Sequence, residues 1–548
     1  MTSSCARFVA ILRVLAGCAL VFGAAPASAQ LRIVTYNTAG APRPGMDFVL
    51  RAIGQESSGA SVRQPIDILL LQEQSRAAGL PHAQAFVNLL NSIYAGEGIT
   101  YARGNVIGDG DMTQSIVYKT NSVELLQEIA LGTASSSSQA RQAIRHKLKP
   151  VGYDDSAAFY IYNSHYKASP GSEEESRRLS EAIAIRNNSN ALGAGAHAIY
   201  AGDHNFYDAS EPAWAALTGP GNGQAFDPVN RVGDWHNNFN FREVHTQSPT
   251  TSQRYGGQVT GGLDDRFDFQ LATGEMLDNE GLSYIADSYH TFGNNGTTFN
   301  TDVDFGTNTY AFNLVEFDPQ NTRTELLTAL ASVSDHLPVI ADYQLPAKMS
   351  VQVAEIPTAV TLGATIPIEV SIENVAPVAN VGFADELDYT LSVSGDLFGG
   401  AVDVEPAAGG GHAHDIFLNT ATPGAKSGVI TVMSTSQQTA NALFTMPVSF
   451  TVLGPEFLAA DFDQDGSVDG DDLAAWSVNF GIPAGAHKSQ GDANSDGNVD
   501  GADFLAWQRQ LGAVPSSIAA LSTPEPAGAS LAAFCGIALS SGIRRRTA

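Results

Sequence analysis

The spacing of apolar and polar positions changes along this chain. In residues 31–345, short apolar runs such as LRIVTYN, IDILLLQE and HAIYAGDHN alternate with longer stretches of helical spacing, such as HAQAFVNLLNSIYA. The short runs predict β-strands, and the longer stretches predict amphipathic helices. Strands and helices that alternate in this way predict an α/β sandwich, in which helices cover the sheets.

Residues 346–455 have a different pattern, in which apolar and polar residues alternate over segments such as IPIEVSIENV and SGVITVMST. This pattern predicts an antiparallel β-sandwich of immunoglobulin-like size. The segment GGGHAHD at 409–415 contains two histidines. We interpret it as a flexible glycine-rich loop, with a metal site as the alternative.

An internal repeat occupies residues 456–513. The sequence DFDQDGSVDGDDLAAWSVNFG begins at Asp461 and DANSDGNVDGADFLAWQRQLG begins at Asp492, so the copies are 492 − 461 = 31 residues apart. Each copy has a glycine, Gly466 or Gly497, where a calcium loop turns sharply, and oxygen-bearing side chains at the ligand positions around it. The predicted Ca²⁺ ligands are Asp461, Asp463, Asp465, Asp469 and Asp472 in the first copy and Asp492, Asn494, Asp496, Asp500 and Asp503 in the second.

These repeats resemble type I dockerin domains, because no helix precedes either loop and the last ligand is Asp rather than the Glu of an EF-hand. The resemblance implies a small helical binding module that docks on a cohesin-like partner. An acidic flexible linker is the alternative, but a linker does not require Gly, Val and Trp at matching positions in both copies. We expect residues 456–513 to fold only when Ca²⁺ is bound, since the loops bring like charges together.

Length and net charge limit the number of folded units and the kind of surface that the protein can have. A chain of 548 residues is long enough for about three folded units. The formal net charge of −28 argues against a broadly basic surface that coats nucleic acid, so local groups or metal ions would have to meet a phosphate-bearing substrate. The cysteines are Cys5, Cys18 and Cys535. The predicted domains therefore contain no disulfide bonds.

Residues 1–29 are typical of a signal peptide, since Arg7 and Arg13 precede the apolar VLAGCALVFGAA and the small residues of ASAQ predict cleavage after Ala29. A lipoprotein box at LAGC, with Cys18 acylated, is the alternative. Both interpretations predict an exported protein, located at the cell envelope or outside the cell.

Residues 514–548 contain Pro-Glu-Pro, an apolar stretch shorter than the ~20 residues that span a bilayer, and an arginine cluster. This order resembles the PEP-CTERM sorting tails of bacteria, which implies processing by an exosortase-type enzyme. A generic tail anchor is the alternative. Either tail places the protein at the cell envelope or outside the cell.

Candidate catalytic residues stand at the ends of apolar runs in residues 31–345. A layered sheet would bring such residues to one edge, where α/β folds commonly bind ligands. Each residue alone would be read as a cap or a turn residue, but together and in this order they predict one active site. The residues are Asn37 of TYN, Glu73 of LQE, His165 of NSHYK, Asp203 and Asn205 of GDHN, Asp268 of RFD, and Asp335 and His336 of SDH.

The order and the residues of these motifs resemble those of the endonuclease/exonuclease/phosphatase superfamily, which includes deoxyribonuclease I-like nucleases, sphingomyelinases and inositol polyphosphate phosphatases. The resemblance covers residues 31 to about 343 and implies a four-layer α/β sandwich for the domain of residues 31–345. It also implies that Glu73, with Asn37 beside it, binds a catalytic Mg²⁺ or Mn²⁺. Asp335 would be a carboxylate on the metal side, and His336, oriented by Asp268, would be the general base.

The same resemblance implies a role for the remaining motifs. His165 would contact the phosphate group, and Asp203 and Asn205 would orient the attacking water and hold the phosphate. General chemistry agrees, because hydrolysis of a phosphate ester needs a divalent cation to neutralise oxygen charge and an imidazole to move a proton near neutral pH. A carboxylate beside that imidazole fixes its tautomer and stabilises its cation.

The sequence is compatible with more than one class of phosphate-ester substrate. A nuclease is the first hypothesis, and a phospholipid or inositol-phosphate phosphatase is the alternative. Trp235 and Phe239 are candidates for stacking on a base, with packing beneath a long loop as the alternative, and we expect His204 to be a partly exposed imidazole without a catalytic role. A non-catalytic binding or envelope-attachment protein is the other class, but it would not need to keep Glu73 and His336.

Overall fold

The computed structural model of the chain describes residues 30–57, 63–74, 82–105, 107, 113–133, 141–312, 319–378 and 381–513. The predicted signal peptide (1–29), with the alternative lipid site at Cys18, and the predicted sorting tail (514–548) lie outside the described residues. None of the helices in the described ranges combines the length and the apolar character that crossing a membrane requires.

Strands and helices alternate over residues 31–345, which confirms the predicted α/β class. The strands are β1 (Leu31–Asn37), β2 (Ile68–Gln74), β3 (Tyr101–Arg103), β4 (Thr113–Lys119), β5 (Val123–Leu131), β6 (Ala143–Pro150), β7 (Phe159–His165), β8 (Ala198–Asp203), β9 (Asp268–Ala272), β10 (His290–Thr291) and β11 (Val339–Tyr343). The helices are α1 (Met46–Gln55), α2 (His82–Ile93), α3 (Ser172–Leu192), α4 (Pro212–Thr218) and α5 (Pro319–Val333).

These strands form two sheets, ordered β10-β11-β1-β2-β4-β3 and β5-β6-β7-β8-β9. At the centre of the first sheet, β1 runs parallel to β2 and antiparallel to β11. At the equivalent place in the second sheet, β7 runs parallel to β8, and β9 runs antiparallel to β8. In each sheet, therefore, two parallel strands end and one antiparallel strand begins at the same edge.

The two sheets pack face to face. Successive side chains of a strand point to opposite faces, so each strand contributes to the cluster between the sheets and to the cluster beneath the helices. Ile33 of β1 lies in a buried cluster with Ile161 and Ile199 of the second sheet, whereas the next residue, Val34, lies in a cluster with α1, α2 and α5. On the far side of the second sheet, Tyr200 packs with residues of α3 and α4. Strands covered on both faces explain why LRIVTYN is buried throughout.

A buried ion pair joins the first and last strands of this unit. The guanidinium of Arg32 on β1 contacts both carboxylate oxygens of Asp342 on β11, at 2.9 and 3.0 Å. Removing one partner of a buried pair leaves an uncompensated charge and costs roughly 3–5 kcal/mol. The pair therefore fixes the register of β11, which follows the predicted Asp335-His336 motif.

Residues 346–455 form two further sheets. Their strands are β12 (Met349–Val353), β13 (Ala359–Thr361), β14 (Pro367–Asn374), β15 (Leu387–Gly395), β16 (Leu397–Phe398), β17 (Gly400–Glu405), β18 (His412–Leu418), β19 (Gly424–Ser434) and β20 (Leu443–Leu453). The sheet orders are β12-β14-β18-β16 and β13-β20-β19-β15-β17, and side chains from both sheets share one buried cluster.

The interpretation of GGGHAHD as a flexible loop is wrong for its histidines. His412 and His414 belong to β18, where they pair with Ile372 and Val370 of β14. Only the glycines lie in the turn that precedes the strand. The physical reason is that β14 offers a free row of backbone hydrogen-bonding groups, and β18 satisfies them.

The repeat region folds as two helices, α6 (Gly470–Asn479) and α7 (Gly501–Gln510), each directly after one acidic loop. The copies are linked reciprocally. The indole of Trp476 donates to the backbone carbonyl of Asp500 at 2.9 Å, and the indole of Trp507 donates to that of Asp469 at 2.8 Å. Equivalent tryptophans thus tie each helix to the loop of the other copy.

Candidate active site

The strand ends of the two sheets meet at one polar edge. Asn37 ends β1 and Glu73 lies near the end of β2 in the first sheet, while His165 ends β7 and Asp203 ends β8 in the second sheet. Asp268 begins the antiparallel β9. Parallel strands deliver their last residues to the same edge, and antiparallel neighbours deliver their first residues there.

Asn37 contacts three of the other candidates through one amide group. Its Nδ2 lies 3.0 Å from Oδ2 of Asp203, 3.2 Å from Oε1 of Glu73 and 3.4 Å from Nε2 of His336. Glu73 lies on β2 of the first sheet, Asp203 lies on β8 of the second, and His336 lies in the loop just before β11. Asn37 therefore holds the two halves of the site together.

His336 is oriented by Asp268. Its Nδ1 lies 2.7 Å from Oδ2 of Asp268, and both side chains are buried. The hydroxyl of Ser334 adds a backbone constraint, since it accepts from the backbone N–H of His336 at 3.1 Å and donates to the carbonyl of Asn37 at 2.6 Å. The other ring nitrogen, Nε2, then contacts the side-chain amides of Asn37 and Gln247.

Nearby carboxylates control the protonation of His336. Burial alone would lower its pKa, but the charges of Asp268 and Asp203 outweigh burial, and the pKa is raised above that of an ordinary histidine. Burial raises the pKa of Asp203, and the imidazole of His336 opposes that rise. The imidazole of His336 therefore holds a proton more tightly than an ordinary histidine does. Once it has lost that proton, His336 is a strong proton acceptor.

His165 also lies beside the carboxylates of Asp203 and Glu73. Its Nε2 is 3.5 Å from Oδ2 of Asp203 and 3.7 Å from Oε1 of Glu73. Burial, aided by the positive charge of Arg141, lowers the pKa of His165 well below its ordinary value. His165 is therefore neutral at pH 7 and can donate a hydrogen bond without adding charge.

Glu73 reaches the site through an irregularity in β2. The pairing of β2 with β4 shifts register between Leu71 and Gln74, and Glu73 has a left-handed backbone with φ of 58°. This conformation is uncommon for a residue other than glycine and costs of order 1 kcal/mol or more. It leaves a quarter of the Glu73 side chain exposed, whereas those of Asp203 and His336 are almost completely buried.

Asn205 and Asp335 are held by neighbouring backbone groups. The side-chain amide of Asn205 donates to the carbonyl of Tyr166 at 3.1 Å, and its backbone N–H donates to Asp203 at 3.1 Å. Oδ2 of Asp335 accepts from the backbone N–H of Val259 at 3.0 Å, and its Oδ1 is buried without a hydrogen-bond partner. The predicted metal and phosphate roles of these two residues stay predictions.

The expectation that His204 is partly exposed is wrong. The ring is completely buried between the aromatic rings of Tyr166, Phe206 and Phe269. Its Nδ1 lies 3.0 Å from the carbonyl of Gly202. A left-handed turn at Asn205, with φ of 49°, follows the strand end, and the core takes up the ring at this point.

The two aromatic residues considered for base stacking have different environments. Trp235 is completely buried, and its indole donates to the carbonyl of Phe206 at 2.6 Å, so it packs beneath the loop. Phe239 is 55% exposed, with the guanidinium of Arg242 3.9 Å above its ring. Only Phe239 has the exposed face that stacking requires.

Sequence reasoning missed Gln247. Its side-chain amide lies 2.6 Å from Nε2 of His336, nearer than any other described partner of that nitrogen. No apolar run precedes it, so the sequence carries no signal for it. Ser334, in contrast, directly precedes the predicted Asp335-His336 pair, and its position could have been noticed.

The residues present fit a hard divalent cation. Ligand atoms of Asp203, Asp268 and His336 lie within 4.8 Å of one another, and Oδ1 of Asp268 is buried without a hydrogen-bond partner. Glu73 adds an accessible carboxylate. Carboxylate and amide oxygens are the ligands that Mg²⁺ and Mn²⁺ prefer.

The acidic loops of residues 456–513 have similar unpaired groups. Oδ1 of Asp461 and Oδ1 of Asp492, at the first position of each loop, are buried without a hydrogen-bond partner. Their Oδ2 atoms accept from the backbone N–H groups of Gly466, at 3.1 Å, and Gly497, at 2.8 Å. These glycines have φ of 95° and 83°, which the sharp turn of the loop requires.

The other predicted ligands point into the same loops or cap the helices that follow. Oxygen atoms of Asp461, Asp463 and Asp465 lie within 4.8 Å of one another. The buried carboxylates of Asp472 and Asp503 accept from backbone N–H groups of their own loops, and each completes a capping box. Each loop is thus held in shape around its carboxylate oxygens.

Comparisons with known proteins give similar structures but no sequence match. No family model and no curated protein matches the chain. A Bacteroides thetaiotaomicron endonuclease/exonuclease/phosphatase family protein is 15% identical over 57% of this chain and 94% of its own, with a TM-score of 0.34. A mannosyl-6-phosphatase of the same organism is 16% identical over 57% of this chain and 99% of its own, with a TM-score of 0.34.

A third similar structure is D. rerio TDP2 complexed with a single-strand DNA product. It is 14% identical over 58% of this chain and 100% of its own, with a TM-score of 0.33. Identities and scores this low assign neither a reaction nor a substrate to this chain.

Proposed function

We propose that residues 31–345 form a divalent-metal-dependent phosphodiesterase, and that its substrate is a nucleic acid. The observation that carries this proposal is the buried contact of 2.7 Å between Asp268 and His336, set beside the carboxylates of Asp203 and Glu73. An oriented imidazole beside a cation site suits the hydrolysis of a phosphate ester. The resemblance to the endonuclease/exonuclease/phosphatase superfamily points to the same chemistry.

In this proposal Asn37, Glu73 and Asp335 would hold Mg²⁺ or Mn²⁺, and the ion would supply positive charge to the non-bridging oxygens of the phosphate. Asp203 and Asn205 orient the attacking water.

His336 accepts the proton of that water at Nε2, and Asp268 stabilises the imidazolium that forms. Neutral His165 donates a hydrogen bond to the phosphate. The negative charge that develops on the phosphate thus meets hydrogen-bond donors and a cation, and the proton stays on a buried pair.

A specific observation favours a nucleic acid over a lipid headgroup. Phe239 is largely exposed and stacks with Arg242 on the 3-10 helix Phe239–Val244, which ends three residues before Gln247. Gln247 in turn contacts His336. An exposed ring beside a guanidinium suits a base and its phosphate.

The test of substrate class is a screen of the purified full chain with Mg²⁺, Mn²⁺ or Ca²⁺. The substrates are plasmid DNA, RNA, sphingomyelin, an inositol phosphate and bis-p-nitrophenyl phosphate. Cleavage of DNA or RNA supports the nuclease proposal. Cleavage of sphingomyelin or the inositol phosphate alone would replace it with the phosphatase alternative, and no cleavage of any ester would contradict the enzymatic proposal.

We also propose that residues 456–513 bind two Ca²⁺ ions and attach the enzyme to a cohesin-like partner. The buried unpaired oxygens of Asp461 and Asp492 support the ion sites. Val478, Phe480 and Leu511 are more than half exposed on or beside the two helices and offer an apolar contact surface. In this proposal the protein is exported, and an exosortase-type enzyme processes the tail after about residue 523.

Intact-mass analysis of protein from the native host tests the export proposal. Loss of the residues after about 523, or a lipid or anchor mass in their place, supports it. An unprocessed C-terminus ending at Ala548 on freely secreted protein would contradict it.

A further inference from the structure

We infer that His236 is the proton donor to the leaving group of the proposed reaction, with Asp265 as its positioning residue. The inference rests on the proposed function, because it concerns the same hydrolysis of a phosphate diester. That mechanism passes a proton of the attacking water to His336 but supplies none to the oxygen that leaves. Since burial keeps His165 neutral, the groups described so far include no donor for that oxygen.

His236 and Asp265 form a pair similar to that of His336 and Asp268. Nδ1 of His236 lies 2.5 Å from Oδ1 of Asp265, and their side chains are 49% and 15% exposed. A carboxylate at Nδ1 orients the ring and stabilises the imidazolium, which carries its other proton on Nε2. Within the part of the chain that the structure describes, Nε2 of His236 has no hydrogen-bond partner. This nitrogen is therefore available to a substrate.

Contacts with Tyr207 fix the place of His236. The backbone N–H of His236 donates to the carbonyl of Tyr207 at 3.2 Å, and the two rings meet edge-on with centroids 5.0 Å apart. Tyr207 comes two residues after Asn205, in the segment that follows β8. His236 is thus anchored to the chain segment that leaves the strand end of Asp203.

Gln247 connects the His236–Asp265 pair to His336. Its backbone exchanges two hydrogen bonds with that of Asp265, at 3.0 and 3.1 Å, and it forms isolated bridges with both Asp265 and His336. Backbones paired in this way lie about 5 Å apart, so the two bridges place Asp265 and His336 roughly 10 Å apart across Gln247. The two histidine–carboxylate pairs therefore flank one residue of the candidate active site.

This separation suits an in-line displacement. The attacking and leaving oxygens then lie on opposite sides of the phosphorus, so the proton acceptor and the proton donor have to stand apart. Asp265 lies within electrostatic reach of both imidazoles. Burial raises the pKa of Asp265, and the charges of His236 and His336 oppose that rise.

The two histidines complete the proton balance of the step. The attacking water forms the new bond to phosphorus and gives a proton to Nε2 of His336. The bond from phosphorus to the leaving oxygen breaks, its electron pair stays on that oxygen, and the oxygen takes the proton from Nε2 of His236. The products are an alcohol and a phosphate monoester. His336 has gained one proton and His236 has lost one, and exchange with solvent restores both.

The experiment compares two substrates that differ in one atom. The first is a diester that the full-length wild type cleaves in Mg²⁺ or Mn²⁺, beginning with an oligonucleotide, and product analysis identifies its leaving oxygen. The second carries sulfur at that position. A thiol is a much stronger acid than an alcohol, so a thiolate leaves without a proton donor. His236→Gln should lower kcat at least ~10²-fold on the oxygen substrate and leave kcat on the sulfur substrate nearly unchanged.

Activity on the sulfur substrate also establishes that the variant is folded. Asp265→Asn should show the same selectivity with a smaller loss, about 10-fold, because its amide still holds the ring. Asp264→Asn is the matched control, since it removes the adjacent carboxylate but leaves the contact between His236 and Asp265 in place. It should change neither rate appreciably.

The outcomes separate this inference from the proposed function. A His236→Gln variant that slows both substrates equally, or neither, would overturn the inference and leave the phosphodiesterase proposal in place. That result would identify the contact of His236 with Asp265 as an ordinary ion pair. A wild type that cleaves no phosphate diester would overturn the proposed function, and this inference with it.

Discussion

Oδ2 of Asp268 lies 2.7 Å from Nδ1 of His336, although the two residues are 68 positions apart in sequence and lie at the edges of different sheets. Asp268 begins β9, and His336 stands just before β11. The contact therefore joins the two sheets at the edge where Asn37, Glu73 and Asp203 also lie. Asp268 thereby sets the orientation of the His336 ring.

Replacement of Asp268 by Asn should lower kcat by at least ~10²-fold, because an amide neither stabilises the imidazolium nor fixes the tautomer. The carboxylate of Asp268 raises the pKa of His336, so its removal lowers that pKa. The rise of kcat/KM with increasing pH should therefore begin at a lower pH in the variant. The measurement is a pH profile of kcat/KM, with the exposed Asp287→Asn as control; an unchanged profile would rule out this role.

Gln247 should act as a positioning residue. Its amide contacts Nε2 of His336 at 2.6 Å. Gln247→Ala removes this contact and lets the imidazole ring take other orientations. We expect kcat to fall about 10-fold with little change in KM, since even small misplacement of a catalytic group is costly. Steady-state kinetics of Gln247→Ala and of the exposed control Gln253→Ala test this. A rise in KM with unchanged kcat would assign Gln247 to substrate binding, and equal kinetics for the two variants would show that it has no role in the reaction.

The acidic loops should depend on Ca²⁺. Asp465→Asn with Asp496→Asn keeps the local turns but removes one charge from each loop, so Ca²⁺ binding to the full chain should weaken by at least ~10-fold. Limited proteolysis in chelator should cleave residues 456–513 of the wild type, and Ca²⁺ should protect them. The control is Asp471→Ala, an exposed residue outside the ligand positions. Equal protection in chelator and in Ca²⁺ would show that the module folds without the ion.

Buried His204 should make the first domain sensitive to acid. Burial lowers its pKa to about 4, whereas in the unfolded chain the pKa returns to about 6.5. Between these values the unfolded state binds more protons, so the free energy of unfolding falls as the pH decreases, by up to roughly 3 kcal/mol below pH 4. Above pH 6.5 His204 is neutral in both states, so the protein has lost none of its stability through this residue.

A His204→Phe variant should therefore lose less stability than the wild type between pH 7.5 and pH 5, even if it is less stable at pH 7.5. Phenylalanine suits the aromatic surroundings but cannot titrate. Urea unfolding at the two pH values gives the comparison, with His487→Ala as an exposed-histidine control. A pH dependence as steep as that of the wild type would show that other groups cause the acid sensitivity.

The sequence indicated the strand ends well, for a physical reason. Strands buried on both faces read as continuous apolar runs, so the first polar residue after each run, such as Asn37 or Asp203, stands out. Contacts made by long loops have no such signal. Gln247 reaches His336 only because its loop folds back over the strand ends, and no local pattern encodes that path.

Local context also misled in two places. His204 lies between two polar candidates, yet the chain turns at Asn205 and the core takes up the His204 ring. The glycines before His412 suggested a loop. The backbone of β14, however, pairs with residues 412–417, so both histidines lie in strand β18. In both cases tertiary contacts, absent from any short stretch of sequence, decided the outcome.

The most direct test of the central claim compares the full-length wild type with Glu73→Gln and His336→Ala on a phosphodiester, in Mg²⁺ or Mn²⁺ and in chelator. Circular dichroism establishes that each variant is folded. We predict that chelator abolishes hydrolysis by the wild type and that each variant loses at least ~10²-fold in kcat. Full activity of either folded variant, or wild-type hydrolysis that persists in chelator, would contradict the assignment of this site as a metal-dependent phosphodiesterase.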